Sequence, residues 1–193
     1  MEKLLTKRKI KKLDEKRVIE QAKENPEKFK PLYDWYYEEI FHFIFKKIGE
    51  KEIAGDVCAE VFYKALVNLK DYKITNSSFV AWLYRVAINE VTAFFRKTKK
   101  ERLVVLGDHQ IHFLQEELKY KNLDEEEMRY YLGKAFQQLK SLEVVLLELR
   151  FYEEKSFKEI GEILSITENN AKVKTYRILD KLKIILKKID AYA

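Results

Sequence analysis

The chain has very few of the residues that break helices or cross-link chains. Its 193 residues include five glycines, two prolines and one cysteine. A single cysteine excludes an internal disulfide and a zinc site built from several cysteines, and we expect Cys58 to be buried in a helix. Because apolar residues recur at every third or fourth position instead of alternating, the sequence predicts an all-α protein.

Long apolar runs are also absent. No stretch approaches the roughly 18 uncharged apolar residues of a membrane-spanning helix, and the N-terminus lacks the apolar core of a secretory signal. We therefore expect a cytoplasmic protein that does not insert into a membrane. The 38 basic residues exceed the 32 acidic ones, and the formal charge of +6 favours a polyanionic partner only mildly.

The apolar pattern predicts two small helical domains joined by an extended linker. Residues 1–12 form a basic N-terminal extension, and residues 13–101 form an N-terminal helical bundle. Its clearest helix ends at Gly49 and carries a stripe of seven apolar side chains: Tyr33, Tyr36, Tyr37, Ile40, Phe41, Ile44 and Ile48. Residues 102–128 lack long periodicity and are predicted to be the linker, and residues 129–193 form the second domain.

The second domain contains a helix-turn-helix pattern. Ser156 and Glu159 have the spacing of a capping box, Gly161 is small enough for a close helix crossing, and Thr167 is a cap for the next helix. That helix is predicted to bury Ala171, Thr175, Ile178, Leu182 and Ile185. The opposite face is the one that a recognition helix presents to a DNA major groove. The predicted readers of bases and phosphates are Asn169, Lys172, Val173, Lys174, Tyr176 and Arg177.

A second candidate for DNA contact is the aromatic and basic run from Phe79 to Lys97. It combines rings that can stack on bases with cations that attract phosphates. Core packing is the simpler interpretation for Phe79, Trp82, Leu83 and Val86, and we expect it to hold for most of them.

These segments resemble a known family. Residues 54–62 and 79–89 are similar to the polymerase-binding and minus-ten-reading domain of bacterial sigma-70 factors, more narrowly of the extracytoplasmic-function group. Residues 139–182 resemble the minus-thirty-five-reading domain of that group. The two matches occur in the family's order, with a linker between them. The resemblance implies a transcription initiation factor that binds core RNA polymerase and promoter DNA.

The resemblance also implies roles for individual residues. Asp56, Glu60 and Phe62 match positions that dock on the polymerase. Asn89 matches the asparagine that lines the pocket for a flipped base of the minus-ten element, and Tyr72 is the candidate stacking ring. The full minus-ten set is Tyr72, Trp82, Arg85, Asn89, Arg96 and Lys97.

Residue spacing supports the docking face independently. Glu52, Asp56 and Glu60 recur one turn apart, where like charges are unfavourable unless a basic partner meets them. A solvated acidic stripe relieved by Lys64 is the alternative.

The predicted linker is long enough to span the distance between two promoter elements. Two elements on one face of DNA lie about two helical turns, near 70 Å, apart. A linker of about 26 residues spans at most about 85 Å, so it reaches only when mostly stretched.

The sequence departs from the family at four positions. Ala93 replaces an expected Asp or Asn, Val173 replaces a small polar residue, and Ser165 and Asn169 stand where Gly is frequent. These departures leave the promoter preference open.

Two other functions are compatible with parts of the sequence. The first alternative is a stand-alone helix-turn-helix regulator with an N-terminal dimerisation or ligand domain, and another is an adaptor that has lost DNA binding. An anti-sigma factor is a further expected partner.

An enzyme is disfavoured, because no phosphate-binding loop or nucleophile constellation is present. We expect no catalytic site, small-molecule substrate, cofactor or metal, although His109 and His112 have helical ligand spacing.

Overall fold

The computed structural model describes residues 14–74, 78–98, 108–118 and 124–190. Within these ranges the backbone forms helices and turns and no strand, which confirms the predicted all-α class. The chain divides into two compact units, Met1–Lys99 and Lys100–Ala193. The predicted basic extension over residues 1–12 lies outside the described residues.

The first unit is built from four α-helices. Helices α2, α3 and α4 pack against one another in all three pairs. The α-helices are α1 over residues 14–24, α2 Lys30–Ile48, α3 Lys51–Val67 and α4 Phe79–Thr98. Two short 3-10 helices connect them: Pro26–Phe29 lies between α1 and α2, and Leu69–Asp71 lies between α3 and α4.

Helix α2 ends where the sequence predicted. Gly49 adopts the left-handed conformation with φ of 78°, and its N–H donates to the Phe45 carbonyl at 2.8 Å. The predicted stripe is only partly buried. Tyr36, Ile40 and Ile44 lie in the core, whereas Tyr33 is exposed and Tyr37 and Phe41 are half-buried.

Helix α1 has buried apolar residues and is joined to α2 by a buried hydrogen bond. Ile19 and Ala22 are buried, and the Tyr36 hydroxyl donates a buried hydrogen bond to the Glu15 carboxylate. Burial, followed by this hydrogen bond, raises the pKa of Tyr36. Cys58 is fully buried in α3 as predicted, and burial raises the pKa of its thiol to about 12.

The second unit is built around its last helix. Helix α9 packs against α5, α6, α7 and α8. The helices are α5 Asp108–Leu118, α6 Glu125–Gln137, α7 Ser141–Leu147 with a π-helical turn Glu148–Tyr152, α8 Phe157–Leu164 and α9 Glu168–Asp190.

The predicted linker is wrong over Asp108–Leu118, because this segment is a helix of 11 residues. Its side chains Ile111, Leu114 and Leu118 are buried, and the helix packs on α6 and α9. A helix of this length spans about 16 Å, against about 36 Å for the same residues extended. Residues 102–128 therefore reach less far than the roughly 85 Å of a fully extended linker.

Helix α6 also begins inside the predicted linker. Asp124 caps it, with Glu127 N–H donating to Asp124 Oδ1 at 2.9 Å and Asp124 N–H donating to Glu127 Oε2 at 3.2 Å. The acidic cluster is therefore a capping box that starts the helix, and carboxylates are favourable at this end of a helix.

The backbone of the turn between α8 and α9 passes close to Gly161, closer than any backbone passes to another glycine in the described ranges. The predicted capping box is confirmed, because Glu159 N–H donates to Ser156 Oγ at 3.2 Å and Ser156 N–H donates to Glu159 Oε2 at 2.8 Å. A Cβ on Gly161 would lie 2.7 Å from the Ile166 carbonyl oxygen. Gly161 therefore makes room for the backbone of the turn and for the start of α9, because the Glu168 nitrogen would lie 3.3 Å from the same Cβ. The predicted close approach of the two helices thus occurs at the turn between them.

The same turn requires a left-handed residue. Ser165 ends α8 with φ of 56°, and the N–H of Ile166 donates to the Gly161 carbonyl at 2.9 Å. Glycine would adopt this conformation at lower cost than serine.

No helix in the described ranges is long and apolar enough to cross a membrane.

Replacement of Gly161 tests the importance of this close approach. We expect Gly161→Ala to lower the free energy of unfolding by about 1–3 kcal/mol, because the methyl group collides with backbone that cannot move aside easily. The measurement is urea denaturation of the full chain.

Gly133 provides the matched control. It is also helical, but a Cβ there meets nothing within 4 Å. Gly133→Ala should therefore raise the free energy of unfolding by about 0.5–1 kcal/mol, as expected for a helix interior. Equal effects of the two substitutions would contradict the steric explanation.

Candidate nucleic-acid interface

Helix α9 presents a polar and basic face to solvent. It buries the predicted residues Ala171, Thr175, Ile178, Leu182 and Ile185. The opposite side carries five of the six predicted readers in exposed positions: Asn169, Lys172, Val173, Tyr176 and Arg177.

The start of α9 is fixed by its cap. The N–H of Asn170 donates to Thr167 Oγ1 at 3.2 Å, and the N–H of Ala171 donates to the Thr167 carbonyl at 2.9 Å. The predicted cap at Thr167 is confirmed. Since the first turn of the helix is held by the α8–α9 turn, the exposed residues Asn169 and Lys172 project from a fixed backbone.

Lys174 differs from the other five predicted readers. It is half-buried, and at about 100° per residue it is rotated away from Val173 at the centre of the exposed face. Lys174 lines a cavity of about 300 Å³ whose apolar floor includes Leu146, Leu164 and Ile178. Its position suits a contact with the DNA backbone better than one with a base edge.

Two side chains that the sequence did not point to form a series with Tyr176, in which one aromatic ring lies next to Tyr176 and one guanidinium lies next to that ring. The ring of Phe157 is 6.3 Å from the Tyr176 ring, centre to centre, and the Arg150 guanidinium lies 5.0 Å from the Phe157 ring centre. Their sequence separation hides this grouping. The packing of α8 on α9 brings Phe157 to Tyr176, and the packing of the π-helical turn on α8 brings Arg150 to Phe157.

Helix α4 also divides into a buried and an accessible side. Phe79, Leu83, Ala87 and Val91 are buried, which confirms core packing for Phe79 and Leu83. At about 100° per residue, four of the α4 residues predicted to contact the minus-ten element fall within about 60° on the side opposite this stripe, and Lys97, near the end of the helix, lies closer to the stripe. The four are Trp82, Arg85, Asn89 and Arg96. Trp82 and Arg85 are half-buried there, and the exposed members are Asn89, Arg96 and Lys97.

Three rings meet at the start of α4. Tyr72 lies 4.8 Å from Trp82 and 5.4 Å from Phe79, and Phe79 lies 5.4 Å from Trp82, between ring centres. Phe79 is fully buried, whereas Tyr72 and Trp82 keep part of their surface accessible. The buried ring therefore supports two rings that can offer a face or an edge to a base. Residues 75–77 of the intervening segment lie outside the described residues.

Helix α3 carries the predicted acidic face. Glu52, Asp56 and Glu60 are exposed on one side of the helix. The Lys64 ammonium lies 3.3 Å from Glu60 and 2.7 Å from Glu90 of α4. The hydrogen bond with Glu90 is the main cause of the raised pKa of Lys64. The contact with Glu60 partly relieves the acidic stripe, as the alternative interpretation anticipated.

The structure corrects the expectation for Phe62. This ring is only 4% exposed and packs on Tyr33 at 4.8 Å and Phe29 at 6.5 Å. Phe62 thus offers almost no surface for direct docking. Its place at the α2–α3 contact supports the helix that carries Asp56 and Glu60.

A metal site has no support in the described part of the chain. No group of three or more His, Cys, Asp or Glu side chains there could hold an ion. His112 lies 3.6 Å from Glu116, as a helical pair. The side chain of His109, the other half of the predicted spacing, is outside the described residues.

Comparison with known proteins gives two family matches. Residues 32–101 match the model for sigma-70 region 2, and residues 129–182 match the model for sigma-70 region 4. Together they cover more than half of the chain. The first match contains α3 and α4, and the second contains α7, α8 and most of α9.

Relatives match along most of their length. The extracytoplasmic-function RNA polymerase sigma factor SigM of Bacillus subtilis is 27% identical over 154 residues, covering 80% of this chain and 92% of SigM. SigW of the same organism is 26% identical over 176 residues, covering 87% of this chain and 94% of SigW.

A solved structure shares the fold. The sigma factor RpoE of Bartonella quintana, in complex with the anti-sigma factor NepR, has a TM-score of 0.52 at 18% identity, covering 82% of this chain and 96% of RpoE. The two region matches, in order and on the helices that carry the candidate faces, show that the chain belongs to the extracytoplasmic-function group of the sigma-70 family and is a sigma factor for transcription initiation.

Proposed function

We propose that the chain binds core RNA polymerase through the acidic face of α3, captures the minus-ten strand on α4 and reads the minus-thirty-five duplex with α9. The observation that carries this proposal is the pair of accessible faces on α4 and α9, each opposite a buried stripe of the same helix. The chain acts in the cytoplasm with the polymerase.

The α9 face has the chemistry for duplex recognition. Lys172 and Arg177 supply cations for phosphates or for guanine, Asn169 can pair with adenine, and Val173 and Tyr176 can contact a thymine methyl group. A recognition helix contacts bases mainly near its N-terminal end, where these residues lie. Lys174, at the edge of this face, is proposed to contact the phosphate backbone of the DNA.

The α4 face has the chemistry for an unpaired strand. Flipping a base out of the duplex costs a few kcal/mol, and stacking it on an aromatic ring returns about 1–3 kcal/mol per base. Tyr72 and Trp82 supply the rings, and Asn89 supplies a donor and an acceptor for a base edge. Since stacking alone roughly breaks even, phosphate contacts from Arg85, Arg96 and Lys97 and the binding of polymerase must favour the open state.

The α3 face has the charge for a basic partner surface. Exposed Asp56 and Glu60 lie on the same side as the exposed apolar side chains Tyr63 and Val67. An acidic patch beside apolar surface is suited to protein docking, because opposite charges speed encounter while apolar burial holds the complex. An anti-sigma factor is a further partner in this proposal, as RpoE of Bartonella quintana was solved with one.

The stand-alone regulator is the less supported alternative. It would bind duplex DNA without polymerase and would need no strand-capturing face. The similarity of the chain to sigma factors over both regions favours the polymerase-dependent function.

Transcription with purified core polymerase tests the proposed function directly. The chain should direct specific run-off transcripts from a genomic promoter library and should bind promoter DNA tightly only with polymerase present. Specific binding to a palindromic duplex without polymerase, together with no transcript, would favour the stand-alone regulator.

Charge reversal tests the docking face. Asp56→Lys should weaken the affinity for core polymerase severalfold, chiefly at low salt, because it places a cation before a basic surface. Glu38→Lys is the control, as Glu38 is an exposed carboxylate on another helix of the same unit. Quantitative pull-down with core polymerase gives the affinities, and equal losses for the two variants would argue against a specific docking face.

Removal of Arg177 tests minus-thirty-five recognition. Arg177→Ala in holoenzyme should cost about 1–3 kcal/mol of promoter affinity and relax the preference at one position, if the guanidinium contacts a base. Lys187→Ala removes an exposed cation farther along the same helix and should leave base preference unchanged. A competition assay with promoters mutated one position at a time distinguishes these results from a uniform loss, which would assign Arg177 to the phosphates.

Substitution of Asn89 tests minus-ten capture. Asn89→Ala should weaken binding of holoenzyme to a promoter with an unpaired minus-ten strand, and Asn89→Asp should weaken it further, because a carboxylate repels phosphates and cannot donate to a base. Gln137→Ala, the loss of an exposed amide in the other unit, is the control. Both Asn89 variants should still bind polymerase and a minus-thirty-five duplex normally, and unaltered capture by both would remove Asn89 from the site.

A further inference from the structure

One exposed side chain of the recognition face has an aromatic ring packed against it, and that ring in turn contacts a guanidinium. Tyr176 is 46% exposed on α9, and the half-buried Phe157 ring of α8 lies 6.3 Å from it at 47° between ring planes. The Arg150 guanidinium lies 5.0 Å from the Phe157 ring centre. The order of contacts is therefore Arg150, Phe157, Tyr176.

The far end of this series is fixed to the backbone. Arg150 belongs to the π-helical turn Glu148–Tyr152, and its Nη1 donates to the Lys155 carbonyl at 3.2 Å. Phe157 is the first residue of α8, directly after the Ser156 capping box. Because both backbones are held in place, the Phe157 ring has a defined position against α9.

An exposed tyrosine without such a neighbour would sample several rotamers on a picosecond to nanosecond timescale. A ring packed against one side of Tyr176 restricts the orientations that its hydroxyl and ring edge can take. The other side of Tyr176 remains open to DNA. A restricted Tyr176 should favour the base that its ring and hydroxyl can contact in this one orientation. Bases that would require a different orientation of Tyr176 should bind less well.

We propose that Phe157 is a positioning residue, which holds Tyr176 and thereby sets the preference at the base pair that Tyr176 contacts. Phe157 itself lies at the start of α8, and its effect on DNA passes through the tyrosine ring. This inference rests on the proposed reading of the minus-thirty-five duplex by α9.

Base preference is the measurement that separates positioning from general structural support. Holoenzyme is used to select from a library randomised over the minus-thirty-five element, and bound sequences are counted. Preferences are ratios between DNA sequences competing in one tube, so a partly unfolded sample does not alter them. Tyr176→Ala first identifies the base pair that depends on the tyrosine.

The expected result is specific to one base pair. Phe157→Met, which retains volume and lacks a ring, should reduce the preference at the pair identified by Tyr176→Ala by at least about threefold. Phe157→Leu should do the same, and Phe157→Tyr should retain the preference. Preferences at the other positions should stay unchanged.

Phe113→Met provides the matched control. Phe113 is a half-buried ring of the same unit, and it packs on Phe151 at 5.4 Å. This control should leave all base preferences intact even where it lowers the thermal midpoint. If Phe157→Met left preference unchanged, or changed every position equally, Phe157 would not position Tyr176. If Tyr176→Ala itself changed no preference, the proposed contact of Tyr176 with a base would be wrong. The Tyr176→Ala result therefore distinguishes failure of the proposed base contact from failure of the proposed positioning by Phe157.

Discussion

The burial of Ala171, Thr175 and Ile178 fixes the rotation of α9 about its own axis. All three residues lie on one side of the helix, and each is at most 6% exposed. A helix that buries one stripe must expose the opposite stripe, so this packing alone decides that Asn169, Val173 and Tyr176 face outward. The turn at Gly161 then fixes where α9 begins, because the Ile166 carbonyl oxygen occupies the space that a side chain would need. Recognition by this unit therefore depends first on apolar packing and on one close backbone approach.

Helix α4 applies the same constraint to a different task. Its buried Phe79 supports Tyr72 and Trp82 from below, and both of these rings remain partly accessible. The α9 surface is mainly polar and basic and carries one exposed ring, Tyr176. The α4 surface instead has two adjacent rings, Tyr72 and Trp82, which suit an unpaired base because such a base presents its flat face as well as its edge. The chemical difference between the two surfaces follows from the different states of DNA that they are proposed to bind.

The sequence predicted those parts of the fold that depend on local periodicity and caps. The stripe of α9, the Ser156 capping box and the end of α2 at Gly49 each follow from residues close together in the chain. Helix α5 was missed, although Ile111, Leu114 and Leu118 have helical spacing, because the segment is short and its apolar residues are few. Asp124 and Glu127 also have the spacing of a capping box, but their acidic surroundings suggested a linker. Both signals were present and were outweighed by composition.

Other features could not be predicted from local sequence. The burial of Phe62 depends on Tyr33 and Phe29 of other helices. The contact of Phe157 with Tyr176 depends on the packing of α8 on α9. A stripe of aromatic residues on α2 likewise does not reveal which rings face a neighbouring helix. These are tertiary outcomes, since each requires the positions of residues that are distant in the chain.

The Lys64 ammonium joins the proposed docking helix α3 to the neighbouring helix α4. It contacts Glu60 on the proposed docking face of α3 and, more closely, Glu90 on α4. A basic group arriving at Glu60 would replace only the longer of these two contacts. The shorter one would continue to join α3 to α4, so the seam between the helix that meets the enzyme and the helix that holds the opened strand need not loosen when the complex forms.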